Sequence, residues 1–187
     1  PRKYRLMNPQ NFILNAALSS ENLRKIRQER YVNLVFFTLS AALQNYDLTS
    51  LAIYGSVARG NAHGDSDVDL LLVSNDFQGS LTKRAEGLCS LEDAIMGEIK
   101  WLKDQGIWTG LSFYALREEE AGRLPMILLD LTEDAIILYD KGHFLENLLT
   151  ELRAKLLKLG ARRVFMDRET WYWDLKPDYK FGEVIEI

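Results

Sequence analysis

Gly55-Ser56-Val57-Ala58-Arg59-Gly60, followed by Ser66-Asp67-Val68-Asp69-Leu70-Leu71-Leu72-Val73, is the stretch whose reading decides the architecture. Leu51 to Tyr54 reads as a short buried strand that Gly55-Ser56 interrupts. Glycine lets the backbone turn sharply and approach a ligand closely. Ser56 is placed to cap a short helix through Ala58 and Arg59, whose unpaired amides would favour a bound phosphate. Asn61 to Ser66 is small and polar, a solvent-facing connection into the next strand.

That next strand runs from Asp67 to Val73. Period-two geometry puts Asp67 and Asp69 on one face, with Val68 and Leu70 on the other. The apolar run Leu70 to Val73 marks a central strand covered on both faces. Two adjacent carboxylates on one side repel each other unless a cation or a proton intervenes. Magnesium suits such oxygen ligands, particularly where substrate phosphates complete its coordination. Two rival motifs fail on the letters. Gly55 to Gly60 has P-loop spacing, but Asn61-Ala62 stands where Lys and Ser/Thr are required. Asp65-Ser66-Asp67-Val68-Asp69 imitates the start of an EF-hand loop, yet the sixth and twelfth positions are Leu70 and Asp76 in place of glycine and glutamate.

Gly-Ser-x-Ala-Arg-Gly followed by Ser-Asp-x-Asp-Leu-Leu resembles the signature of the DNA polymerase β-like nucleotidyltransferase superfamily, and the short chain is similar to its minimal archaeal and bacterial members. The segment Trp171-Tyr172-Trp173-Asp174-Leu175-Lys176-Pro177 with Gly182-Glu183-Val184-Ile185-Glu186 is similar to a tail of archaeal members. The resemblance implies Mg2+ (or Mn2+) at Asp67 and Asp69 as metal-holding catalytic residues, and a nucleoside triphosphate held by Gly55, Ser56 and Arg59. It implies transfer of a nucleoside monophosphate to a protein, RNA or small-molecule acceptor. Minimal nucleotidyltransferases often serve as antitoxins of HEPN-type ribonucleases, so the resemblance makes such a protein the expected partner and protein modification the expected subtype. A catalytically degenerate nucleotide- or partner-binding module of the same fold is the alternative.

The alternative draws on one departure from the family pattern. The resemblance implies a third carboxylate on a neighbouring strand, which here is Gly110 to Leu116, and that segment contains no Asp or Glu. Ser112 or Tyr114 takes the position, and neither is a strong metal ligand. Asp130 would complete the site if Leu128-Leu129-Asp130-Leu131 were a strand. Pro125 is instead a good first helical residue and Met126, Leu129 and Glu133 follow helical spacing, so the expectation is a helix from about Pro125 to Asp134, then a strand Ala135 to Tyr139. Glu118, just beyond the neighbouring strand, is the other candidate. The third group usually helps the acceptor hydroxyl lose its proton.

The chain of 187 residues is read as one domain, with a core over about 20–140 and a C-terminal helix and tail over about 143–187. The fold class expected is α/β (α+β), a small mixed β-sheet with packed helices. Ser19-Ser20-Glu21-Asn22 reads as a helix start, and apolar residues from Ile26 to Leu43 keep helical spacing. Thr82 to Gln105 reads as a second long helix stopped by Gly106, and Leu145 to Leu159 as a third, stopped by Gly160. A net charge of −4 argues against a general nucleic-acid binder. Arg153, Lys155, Lys158, Arg162, Arg163 and Arg168 nevertheless form a basic stretch, read first as a solvated face and second as a contact with RNA phosphates or an acidic partner through 153–168. Trp171, Tyr172 and Trp173 are expected to seal the tail onto the core or onto a second copy in a homo-oligomer. His63 and His143 read as surface residues. The single cysteine, Cys89, reads as a buried small apolar side chain and fits a reducing compartment. With no apolar stretch long enough to span a membrane and no secretory signal, a cytoplasmic location is expected. A start at Pro1 without methionine is expected of a processed or trimmed terminus.

Overall fold

The computed structural model describes residues 20–167 and 170–184; Ser19, Arg168, Ile185 and Glu186, which figure in the sequence reading, lie outside the described residues. Four strands form one mixed sheet: β1 (Ser50–Tyr54), β2 (Val68–Val73), β3 (Leu111–Leu116) and β4 (Ile136–Asp140), in the order β3-β2-β1-β4. β1 runs antiparallel to both β2 and β4, while β2 and β3 are parallel. The parallel pair requires a crossover, and two helices provide it, α4 (Leu81–Leu88) and α5 (Ser90–Asp104).

Alternation along the strands divides the core into two layers. Leu51, Ile53, Val68, Leu70 and Leu72 face α2 (Val32–Asn45) and α5, packing with Leu34, Leu39, Leu91, Ile95 and Leu102. Ala52, Leu71, Val73 and Leu116 face α7 (Ile127–Asp134) and α8 (Phe144–Leu159), packing with Leu128, Leu131, Leu145, Leu149 and Leu152. This double coverage is what the unbroken apolar run in β2 indicates. Three short helices complete the set: α1 (Ser20–Arg24), α3 (Gly55–Arg59) and α6 (Glu118–Gly122). A two-stranded antiparallel hairpin, β5 (Arg162–Phe165) with β6 (Trp171–Asp174), follows α8. Among the described residues no helix is long and apolar enough to cross a membrane.

Several expectations need correction. The helix read over Thr82 to Gln105 is two helices meeting at Cys89. Near the joint the Cys89 thiol bonds the Ala85 carbonyl and the Ser90 hydroxyl bonds the Gly87 carbonyl, side-chain contacts that interrupt a regular ladder beside a glycine. Cys89 itself is exposed, because it caps the joint on the solvent side. The apolar run from Ile26 opens with a 3-10 turn over Glu29–Tyr31 before α2 begins at Val32. The helix placed at Pro125 starts at Ile127, with the Pro125 carbonyl accepting from the Leu128 amide at 2.9 Å. Gly106 and Gly160 stop their helices with positive φ, as expected.

Gly97 has neither a positive φ nor a close approach to require a glycine. Gly97 lies within α5, and a methyl group there meets nothing within 4 Å. Gly97→Ala is therefore expected to stabilise the protein by roughly 0.5–1 kcal/mol, through the lower entropy of the unfolded chain. Thermal unfolding monitored by circular dichroism reads this directly.

Candidate active site

β1 ends in an extended Tyr54, and the chain turns at Gly55 with φ of +71°, a left-handed conformation that glycine alone adopts freely. The turn also needs the missing side chain for space. A methyl group on Gly55 would lie 2.2 Å from Asp69 Oδ2. Tyr54 precedes α3 in the N-cap position, so Ser56 sits inside the first turn and makes no capping bond, contrary to the sequence reading. α3 spans only five residues, too short for a substantial macrodipole. What it presents is a tight backbone turn and the Ser56 hydroxyl.

Asp69 lies within β2, opposite Tyr54 of β1 and in register with Ser112 of β3. Parity puts Asp69, Tyr54, Ser112 and Tyr114 on the α7/α8 face. Asp67 immediately precedes β2, and its Oδ1 accepts from the Gly110 amide at 2.8 Å. The Val68 amide bonds the Gly110 carbonyl, and the Thr109 hydroxyl bonds the Ser66 carbonyl, so the approach to β2 is pinned to the approach to β3. Half-buried Asp69 thus lies against Gly55, and exposed Asp67, against Gly110, is near enough for its charge to act on Asp69. Burial raises the Asp69 carboxyl above its ordinary value; a hydrogen bond from Ser112 opposes this, the Asp67 charge adds to it, and Arg59 opposes it. Tyr54 is raised by burial and by the nearby Asp69, Tyr114 and Asp130, so its phenol stays protonated.

The position across from Asp69 on the parallel neighbour is a serine. Asp130 and Glu118 are each engaged with other partners. Asp130 sits on α7, where its Oδ1 accepts from the indole Nε1 of Trp171 at 3.0 Å, of Trp173 at 2.9 Å and from Arg163 at 3.2 Å. Glu118 opens α6 at the far end of the sheet, where its Oε1 accepts from the Thr49 hydroxyl at 2.5 Å. Among the described residues no group of three or more His, Cys, Asp or Glu side chains is placed to hold a metal ion. A cavity of about 680 Å3 also lies at that far end, lined by Asp47, Thr49, Asp76, Glu118 and Lys141, away from the aspartate pair.

Arg59 is close enough to act on Asp69, but its guanidinium is already held. Its Nη1 bonds Asp134 Oδ2 at 3.1 Å and its Cζ lies 4.7 Å from the centre of the Trp171 ring. Arg163 bonds both carboxylate oxygens of Asp134, at 3.1 and 3.0 Å, and lies against Trp171 and Trp173. Arg153 donates to the Thr132 carbonyl. The basic stretch is therefore no uniform stripe: Arg153 and Arg163 serve α7. His143 is exposed and contacts Glu146 at 2.6 Å. The hairpin that carries Arg163 and the two indoles escaped the sequence reading, although Trp171-x-Trp173 and Arg163-x-Phe165 each alternate as a strand does.

The match to a family model covers this geometry. The family model for the nucleotidyltransferase domain matches residues 38–123, from within α2 through the turn and both aspartates to just past α6. No curated protein matches the chain. Solved structures with similarity include a toxin–antitoxin with AMP-PNP, 14% identical over 66% of this chain and 86% of that one, with a TM-score of 0.44. An MntA-HepT toxin–antitoxin is 11% identical over 71% of this chain and 93% of that one, with a TM-score of 0.38. Residues 38–123, a little under half of the chain, thus match the nucleotidyltransferase domain, and they carry the Gly-Ser turn and the paired aspartates at one end of the mixed sheet.

Proposed function

We propose that the protein transfers a nucleoside monophosphate from a nucleoside triphosphate to an acceptor hydroxyl, dependent on magnesium or manganese. The observation that carries this reading is the approach of Asp69 to the Gly55 turn with Asp67 beside it. The residues fit a divalent ion: two carboxylates share one face, and Asp69 is raised by burial and by Asp67, a condition that a cation relieves. Asp67 and Asp69 would hold it, and when bound it would supply charge neutralisation for the transferred phosphate. The missing side chain of Gly55 leaves room for the Asp69 carboxylate against the turn, and the turn's backbone with the Ser56 hydroxyl would receive phosphate oxygens beside it. The acceptor oxygen forms a bond to the α-phosphorus, pyrophosphate leaves, and the hydroxyl proton passes to solvent. Ser112 cannot accept that proton as a carboxylate would. A protein acceptor, in the form of a HEPN-type ribonuclease partner, is the preferred subtype.

The test is calorimetric titration with each nucleoside triphosphate, with and without magnesium, on wild type and on Asp67→Asn/Asp69→Asn. Magnesium-dependent binding that falls at least about a hundredfold in the variant is the expected result. Absence of binding to every nucleotide would sink the enzyme reading.

The serine opposite Asp69 favours a second reading, a module that binds nucleotide or a partner without turnover. Ser112→Asp separates the two. If the site is degenerate only for want of a proton acceptor, the substitution is expected to raise nucleotide turnover about a hundredfold, measured as pyrophosphate release. An unchanged rate would show that the missing carboxylate does not limit this site.

A further inference from the structure

The hairpin β5–β6 lies outside the matched residues 38–123, yet it closes on Arg59, a cation whose charge reaches Asp69. Arg59 uses Nη1 alone for its bond to Asp134, and its buried Nε has no partner. The guanidinium is thus only partly satisfied, and what fixes its plane is the Trp171 ring at 4.7 Å. Trp171 is itself fixed. Its indole donates to Asp130, and the Arg163 Cζ lies 4.9 Å from its ring centre. Arg163, with only a tenth of its side chain exposed, neutralises Asp134, so that Asp134 does not bind Arg59 as a tight isolated pair.

We propose that Trp171 is a positioning residue for nucleotide binding: its ring holds the Arg59 guanidinium in place at the edge of the aspartate site, so that docking of the β5–β6 hairpin and binding of the triphosphate are coupled. The inference rests on the nucleotidyl-transfer reading above and adds an element that residues 38–123 do not contain. A desolvated cation against an indole face is held by the ring's quadrupole, and the same contact weakens as soon as the ring is lost. Trp173 is the internal comparison. It donates to the same Asp130 oxygen, but the guanidinium over its ring is that of Arg163, at 5.3 Å.

The experiment is titration of magnesium-ATP into wild type, Trp171→Met, Trp171→Phe, Trp173→Met, Arg59→Ala and the Arg59→Ala/Trp171→Met double variant, each with its thermal midpoint recorded. The expected result is about tenfold weaker binding for Trp171→Met. Affinity should be nearly restored in Trp171→Phe and little changed in Trp173→Met, and the double variant should bind no worse than Arg59→Ala. Equal losses in Trp171→Met and Trp173→Met, or additive losses in the double variant, would overturn the inference and leave the transfer reading standing. Failure of wild type to bind ATP would overturn both. If Trp171→Met does not fold, fluorinated tryptophan in the wild-type chain keeps the ring's shape while weakening its face. Affinity should then fall stepwise with fluorination and lose that dependence in Trp171→Phe; a flat series, or one that persists in Trp171→Phe, overturns the inference.

Discussion

Gly55→Ala is expected to abolish magnesium-dependent nucleotide binding while leaving a folded protein. Two costs meet at this position. A φ of +71° disfavours any Cβ by roughly 1–2 kcal/mol. The added methyl would also stand 2.2 Å from Asp69 Oδ2 and 3.1 Å from its carboxyl carbon, so the carboxylate must leave the turn. The fold can absorb the first cost with a fall of several degrees in the thermal midpoint. The site cannot absorb the second, because the displaced group is half of the aspartate pair. Affinity for magnesium-ATP should drop at least about a hundredfold in calorimetry. Retained binding would mean that the nucleotide does not use this turn.

The second large effect concerns stability. Glu120 accepts from Arg84 at 2.5 and 2.9 Å and from Arg117 at 3.0 Å, and the Arg84 side chain is 4% exposed. Breaking a buried pair leaves a charge without compensation, and Glu120→Ala is expected to destabilise by about 3–5 kcal/mol. Thermal unfolding should show a shift of about 10 °C. Hydrogen bonds from Arg84 hold the Glu120 carboxyl far below the usual carboxylate range. Its folded value lies below its unfolded one, so the stability it contributes is fully present above pH about 4.5 and is lost as the pH falls toward the folded value. Glu120→Gln should accordingly lower stability at pH 7 and flatten its decline below pH 5, measured by urea unfolding across that range.

The parts of the site that were legible in the sequence are those governed by local rules. Alternation put Asp67 and Asp69 on one face, and the absence of acidic residues in Gly110 to Leu116 left Ser112 or Tyr114 for the neighbouring position, of which the register brings Ser112 beside Asp69. Helical spacing after Pro125 correctly removed Asp130 from a strand. The failures have physical causes of other kinds. Leu88, Leu91, Ile95 and Leu102 keep one helical phase across Cys89, so periodicity carries no mark of the break. Asp130 meets Trp171 and Trp173 from across the chain, and Arg59 meets Asp134 in the same way; no local pattern encodes such pairings.

The sheet order has a consequence for how such a chain can diversify. β1, the Gly55 turn and β2 are neighbours both in sequence and in the sheet, so the approach of Asp69 to the turn is set within Ser50–Val73. β3 and β4 are recruited afterwards to the two edges, across connections that bear no residue of the pair. Length and composition between Val73 and Thr109 can therefore drift through insertion and loss, reshaping the surface around the helices α4 and α5 while the approach of Asp69 to the turn is kept.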